Sequence, residues 1–369
     1  MKKIGILATA RERNGGTLLY TQSMIEALRR LPQDHFQWTL FTLHNIHEYD
    51  DIGLPIVRLP GAFSIAASRF VGVDLFASVD KVVAPIYSTA ILATRRPFAF
   101  TLHDLQEKYY PEYFRLPTRI WRYATNRLLT TRASHILCES GFVKCDIMRF
   151  FDVPESRIAV IPAPPVSTLK DCAFDVEGLV AVRRKLDLPE SFVFYPAQFW
   201  PHKNHRRLVE AFAQVVKKHS GVDLVLTGKK RDEYENVFQR VRELGLGSRV
   251  HHLGYVEQME LAAVYRCATV VAVPTLFESI SLPVYEAFSL GAAVCASNVV
   301  ALPEQIGDAG LLFDPLSVGD MAEKISILLD DPALRRQLIE RGRQRMMAVT
   351  QDDYARRLGS VIDALEPQS

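Results

Sequence analysis

Two hydrophobic rhythms alternate along this chain. Short apolar runs recur at residues 4–9, 38–43, 56–59, 81–86, 98–102, 136–138 and 158–161, bounded by Gly, Pro or polar residues. Runs this short predict buried β-strands. Between them apolar positions space out at three and four residues, as in residues 17–31, which predicts helices with one face packed inward. Strands that alternate with helices predict parallel sheets covered on both faces. The rhythm breaks at Pro162-Ala163-Pro164-Pro165 and the mixed polar stretch behind it. Prolines disfavour regular structure, so residues 169–187 are predicted as a linker. The rhythm then restarts, with strands predicted at 192–197, 222–227, 250–253, 269–274 and 294–297 and helices at 205–219, 232–246 and 258–267. The expected fold class is α/β, with two doubly wound, Rossmann-like parallel-sheet domains at residues 1–168 and 188–350. Ligands are expected at the carboxyl ends of the strands.

Composition narrows function more than fold. The chain has 369 residues, 48% apolar and 23% charged, a balance that suits a soluble protein of two domains. A net charge of +2 gives no strong field for nucleic acid. Cys138, Cys145, Cys172, Cys267 and Cys295 form no close pair. They read as buried, reduced thiols rather than a disulfide or zinc framework. The apolar start is cut short by Arg11, Glu12 and Arg13, and reads as a strand rather than a leader. No run approaches the roughly 20 apolar residues of a membrane span. The expected location is the cytoplasm.

The chemistry concentrates in residues 275–315, TLFESISLPVYEAFSLGAAVCASNVVALPEQIGDAGLLFDP. Glu278 and Glu286 stand in it with seven residues between them. An apolar strand runs in, and Pro283 marks the first turn of a helix, where its missing N–H would be unpaired anyway. One carboxylate is then in the loop and the other in the first turn. Backbone amides at such a turn favour anions, so carboxylates beside them suit a different group. Sugar and ribose hydroxyls fit, because an ionised carboxylate only accepts hydrogen bonds and a hydroxyl donates them. Lys203 lies in YPAQFWPHKN, residues 195–204, and either faces a bound diphosphate or is a solvated loop lysine. Gly15 and Gly16 follow a strand and open a helix, which lets backbone approach a phosphate or sugar. They are half of a G-x-G-x-x-G, with no acidic partner, and this excludes a dinucleotide-binding dehydrogenase.

The glutamate segment resembles the E-x7-E signature of retaining glycosyltransferases of the GT-B fold, family 4 (glycosyltransferase group 1). Leu282-Pro283, Gly291, Leu302-Pro303-Glu304 and Gly310 follow in the family's order. The resemblance implies two Rossmann-like domains facing one cleft, with the C-terminal residues 351–369 crossing back to the first. It implies that Glu278 holds hydroxyls of the donor sugar and Glu286 the nucleotide ribose. The backbone of Ser279, Ile280, Ser281 and Leu282 would face sugar and diphosphate, with Ser281 in place of the family's usual glycine. Lys203 would meet the diphosphate beside Asn204. Where the family has Gly-Arg, this chain has Ala197-Gln198. Either Gln198 donates neutral hydrogen bonds, or Lys229 or Lys230 supplies the second charge. Gly228, Lys229, Tyr255 and Val256 fall in loops that flank the nucleotide in the family. His103 matches a histidine near the reacting carbon, and Asp104, Glu107 and Tyr109 follow it in the acceptor-side loop. No Asp-x-Asp occurs; glycosyltransferases that hold a metal on the diphosphate usually have one, so neither metal nor cofactor is expected.

The implied function is retaining, metal-independent transfer of a hexose, mannose or a deoxyhexose such as rhamnose. The donor would be a nucleotide-diphosphate sugar and the acceptor a saccharide or a lipid-linked one, in bacterial surface polysaccharide synthesis. Two alternatives stand beside it. One is a GT-B phosphorylase or epimerase, and the other a non-catalytic nucleotide-sugar-binding subunit of a glycosyltransferase complex. Residues 115–135 add a possible partner, for they carry Arg115, Arg119, Arg122, Arg127 and Arg132 and no acid. They read either as a basic amphipathic helix on an anionic inner membrane face or as a packed helix with a solvated basic side.

Overall fold

The computed structural model describes residues 1–11, 16–60, 73–164 and 175–367. The chain divides into two compact units, one of Met1–Val166 with Val349–Ser369 and one of Ser167–Ala348.

In the first unit seven strands form one sheet: β1 (Lys2–Leu7), β2 (Phe36–Leu43), β3 (Ile56–Leu59), β4 (Lys81–Ala84), β5 (Phe98–Thr101), β6 (His135–Cys138) and β7 (Ile158–Val160). Their order is β3-β2-β1-β4-β5-β6-β7, and every pairing is parallel. Its helices are α1 (Gly16–Arg29), α2 (Gln106–Tyr109), α3 (Leu116–Arg132) and α4 (Gly141–Phe151). Apolar clusters cover both faces of the sheet, which is why the strands read as continuous apolar runs.

The second unit repeats the plan with β8 (Ser191–Pro196), β9 (Val222–Thr227), β10 (Val250–His252), β11 (Val270–Val273), β12 (Val294–Ser297) and β13 (Gly310–Phe313). The order is β10-β9-β8-β11-β12-β13, again all parallel. Its helices are α5 (Val176–Lys185), α6 (His205–Lys218), α7 (Tyr234–Glu243), α8 (Gln258–Cys267), α9 (Leu282–Leu290), α10 (Leu302–Ile306), α11 (Val318–Asp330) and α12 (Pro332–Met347). The last helix, α13 (Gln351–Asp363), belongs to the first unit, where Tyr354, Leu358 and Ile362 share a core with Met24 and Leu28 of α1.

Two expectations need correction. The predicted linker 169–187 contains α5, a helix of the second unit. The proline cluster ends at Pro165, and beyond it Asp175 caps a helix, its Oδ1 accepting from the Gly178 amide at 2.7 Å. Lys185 then pairs with Glu260 of α8 at 2.5 Å. The cysteines are not uniformly buried: Cys138 and Cys295 are, but Cys145 is exposed on α4. Among the described residues no helix is long and apolar enough to cross a membrane.

In each sheet the order reverses beside its first strand, between β1 and β4 and between β8 and β11. Loops at the carboxyl ends of those neighbours leave toward opposite faces and open a crevice, the expected place for a ligand.

Candidate active site

At the switch point of the second unit, β8 leads into residues 197–204 and β11 into residues 274–281. Lys203 Nζ donates to Glu278 Oε2 at 2.5 Å, with the side chains 18% and 17% exposed. Backbone lacing makes that meeting possible. Pro201–Lys203 forms one tight turn, and Asn204 ends it in the left-handed region (φ 59°) before α6 begins. The Asn204 amide donates to the carbonyls of Pro274 and Pro315, both at 2.9 Å, and its Oδ1 accepts from Arg207. The Leu276 amide donates to the His202 carbonyl at 2.7 Å. Tyr195 donates its hydroxyl to the Lys203 carbonyl at 3.1 Å. Burial, then the charge of Glu278, pushes the Tyr195 pKa well up, so it stays a neutral donor.

The second glutamate sits deeper. Glu286 Oε2 accepts from the Tyr265 hydroxyl at 2.6 Å. Burial raises its pKa, and the bond from Tyr265 partly offsets this. Ahead of α9, Ser281 has φ −105° and ψ 103°, an ordinary extended conformation, so serine replaces glycine there without backbone strain. Its side chain is wholly buried. Gln305 of α10 grips its backbone from both sides, accepting from the Ser281 amide at 2.8 Å and donating to the Ser281 carbonyl at 2.7 Å. Ser279, Ile280 and Leu282 flank it, half-buried at the helix start.

Beside this centre, Gly228 closes β9 with φ 115°, and a Cβ there would lie 2.5 Å from the Ala197 carbonyl oxygen. Only glycine fits. The two lysines expected to supply a second charge each lie over an aromatic ring. Lys229 Nζ lies 5.7 Å from the Tyr255 ring centroid and Lys230 Nζ 4.3 Å from that of Tyr234. Gln198 Oε1 instead accepts from Arg231 Nε at 2.9 Å. Tyr255 is exposed, whereas Val256 is buried.

In the first unit, His103 follows β5 next to the β1–β4 switch point. Its Nδ1 meets Glu139 at 2.8 Å and its Nε2 the Pro85 carbonyl at 3.1 Å. Both partners accept, so the ring donates twice, as an imidazolium does. Burial opposes that charge, but the bond and charge of Glu139 outweigh it and the pKa is raised. Tyr20 of α1 packs edge-on against the ring, centroids 4.5 Å apart. The expected acceptor residues fare differently. Asp104 and Glu107 both bind Arg122, each at 2.9 Å, and Glu107 is buried. Its carboxylate ties α3 to the segment after β5 through Arg122. Tyr109 is partly exposed and donates to Asp146 at 2.6 Å. Gly16 opens α1 at the surface, while Gly15 lies outside the described residues.

A family model for glycosyl transferases group 1 matches residues 181–345, and one for glycosyltransferase family 4 matches residues 21–164. The chain belongs to the group 1 glycosyltransferases. It is 30% identical over 251 residues to the O-antigen chain mannosyltransferase B of Escherichia coli, a match that covers 66% of this chain and 64% of the relative, less than two thirds of its length. Its fold matches sucrose-phosphate synthase from Thermosynechococcus elongatus with a TM-score of 0.77, at 22% identity and 99% coverage of both chains. It also matches Anabaena HepE in complex with UDP with a TM-score of 0.79, at 17% identity, covering 99% of this chain and 100% of that one. The two parallel-sheet units are those of the GT-B fold.

Within this glycosyltransferase, sequence reasoning singled out Lys203, Glu278, Glu286 and His103, and missed the residues that hold them. Tyr265, Gln305, Glu139 and Arg231 lie 21 to 36 residues from the groups they bond. No local spacing announces such partners. Asn204 was expected at the donor, but its amide is occupied by two loop carbonyls.

Proposed function

We propose that this glycosyltransferase moves a hexose, mannose in the first place, from a nucleoside-diphosphate sugar to a saccharide or lipid-linked acceptor, with retention at the anomeric carbon. The observation that carries this reading is the Lys203–Glu278 contact at 2.5 Å. A nucleotide sugar presents phosphate oxygens and sugar hydroxyls on either side of one glycosidic bond. An ammonium and a carboxylate this close match the two groups at once. Lys203 meets the charge that grows on the departing phosphate, without a metal. Glu278 orients the sugar, Glu286 takes ribose hydroxyls, and the acceptor oxygen attacks on the face the phosphate leaves. The mannosyl donor and a role in bacterial surface polysaccharide rest on the relative named for O-antigen mannosyl transfer.

The test is turnover of nucleoside-diphosphate sugars in EDTA, with the product anomer read by NMR. Lys203→Ala and Glu278→Ala are each expected to lower kcat by about 10²- to 10³-fold in a folded protein. Wild-type turnover in both variants sinks the assignment. An inverted product sinks retention, and loss of activity in EDTA sinks metal independence.

The same proposal extends to an anionic membrane surface. On α3, Leu116 and Ile120 are 62% and 60% exposed, and Trp121 and Tyr123 are exposed beside them. The arginine stripe is thinner than its sequence. Arg122 is tied to two carboxylates, and Arg127 and Arg132 bond backbone carbonyls. Among the described residues no carboxylate pairs with Arg115 or Arg119. Flotation with phosphatidylglycerol vesicles at physiological salt is expected to carry the protein up, and Ile120→Glu to leave it behind. A wild type that stays at the bottom removes the membrane from the picture.

A further inference from the structure

We infer that Arg231 grips the diphosphate of the donor and that Gln198 is the positioning residue that aims it. This deepens the nucleotide-sugar reading and rests on it. The first ground is place. Arg231 follows the carboxyl end of β9 and Gln198 that of β8, and these strands are parallel neighbours with Pro196 opposite Thr227. Gln198, Trp200 and Lys203 share one loop, so Arg231 joins the loop that carries Lys203.

The second ground is how firmly the guanidinium is held. Its Nε donates to Gln198 Oε1 at 2.9 Å, and its central carbon lies 5.0 Å from the Trp200 ring centroid. The bond also orients the Gln198 amide, since an N–H donor requires the oxygen to face it. A stacked, hydrogen-bonded arginine has already lost the side-chain freedom that binding would otherwise remove. The two terminal nitrogens of its fork remain to meet two oxygens of one phosphate.

The third ground is charge. Lys203 shares its charge with Glu278. A diphosphate brings several negative charges, more than that one shared ammonium offsets. Among the described residues no carboxylate pairs with Arg231. A neutral glutamine fits this role, because its oxygen holds the guanidinium without cancelling it. A carboxylate at the same place would claim the fork and repel the phosphate.

Calorimetric titration of UDP, GDP, dTDP and ADP, each against its monophosphate, tests the inference. For whichever diphosphate the wild type binds, Arg231→Ala is expected to weaken it by about 10- to 100-fold, the size of a bond between charged groups. The monophosphate of the same base should change far less, so the ratio of the two affinities falls. Arg231→Lys, which keeps the charge but loses the fork, should fall between. Gln198→Glu should lower the ratio although its shape is nearly unchanged, a response that a merely structural glutamine would not give. Lys217→Ala, which removes a charge from the exposed end of α6, should keep the wild-type ratio. A wild-type ratio in Arg231→Ala or Arg231→Lys overturns the inference while the donor reading stands. An equal fall in Lys217→Ala overturns it too, since a general field would then be acting. A wild type that binds none of the diphosphates overturns both.

Discussion

His205 lies buried at the start of α6, its ring stacked on Phe199 with centroids 4.2 Å apart. Burial lowers its pKa from 6.5 to about 3. The unfolded chain therefore binds a proton between those values that the folded chain refuses. Stability rises with pH wherever the unfolded state holds more protons, so this residue removes stability as pH falls from 6.5 toward 3. The size is about 5 kcal/mol at the acid end, by about 1.4 kcal/mol per pKa unit. His103 works in the opposite sense. Its pKa is raised, so its contribution is present below 6.5 and fades as pH rises through the folded value. Urea unfolding between pH 7 and pH 4 is expected to show a loss of stability in wild type and a flatter profile in His205→Phe. Equal slopes in the two proteins would show that other groups govern acid unfolding. Lys203 and Glu278 were legible as candidates at this scale because a short motif holds both glutamates and a single loop holds the lysine. The titration of His205 was not, since nothing in PHKNH says that the ring is buried.

Elements are set against one another by clamps that no periodicity announces. Gln305 is the clearest case, since α10 reaches across to hold both backbone groups of Ser281 ahead of α9. Gln305→Ala would leave that buried N–H unpaired, at about 1–3 kcal/mol in stability, while the carbonyl keeps the Val284 and Tyr285 amides. The loop that carries Glu278 would also lose its support, and KM for the donor should rise more than kcat falls. Unchanged KM and an unchanged melting temperature together would show the clamp to be idle. Strands β8 to β12 and helices α6, α7 and α8 were readable because each buries an apolar run or face. Helix α5 was hidden by the prolines before it. The capping signal of Asp175 was present but weaker than the impression left by Pro162, Pro164 and Pro165.

At the scale of the whole molecule the chain builds one unit, then the other, and then returns to the first. Tyr354, Leu358, Ile362 and Leu365 are almost wholly buried there. Lys2 pairs with Asp363 at 2.6 Å, and Lys81 donates to the Ile362 carbonyl at 2.9 Å. Burying such apolar side chains contributes roughly 1.5–3 kcal/mol each, so their sum rivals the whole stability of a typical domain at about 5–15 kcal/mol. A chain ending at residue 349 is expected to lose the folded first unit, seen as lost protection in hydrogen exchange over β1, β2 and α1. Full protection there would mean that the unit stands without its last helix.

The sequence alone determined the class of fold and the residues that are candidates for the chemistry. Alternating apolar runs and amphipathic stretches bury themselves in one economical way, as parallel sheets between helices. A pair of glutamates at fixed spacing by a helix start carries its meaning locally. Tertiary structure decided which side chains meet. Arg231 at Gln198, Gln305 at Ser281, Tyr265 at Glu286 and Glu139 at His103 are contacts between loops and helices far apart in sequence. Their geometry depends on where separate elements end, a property of the packed whole that no window of residues contains.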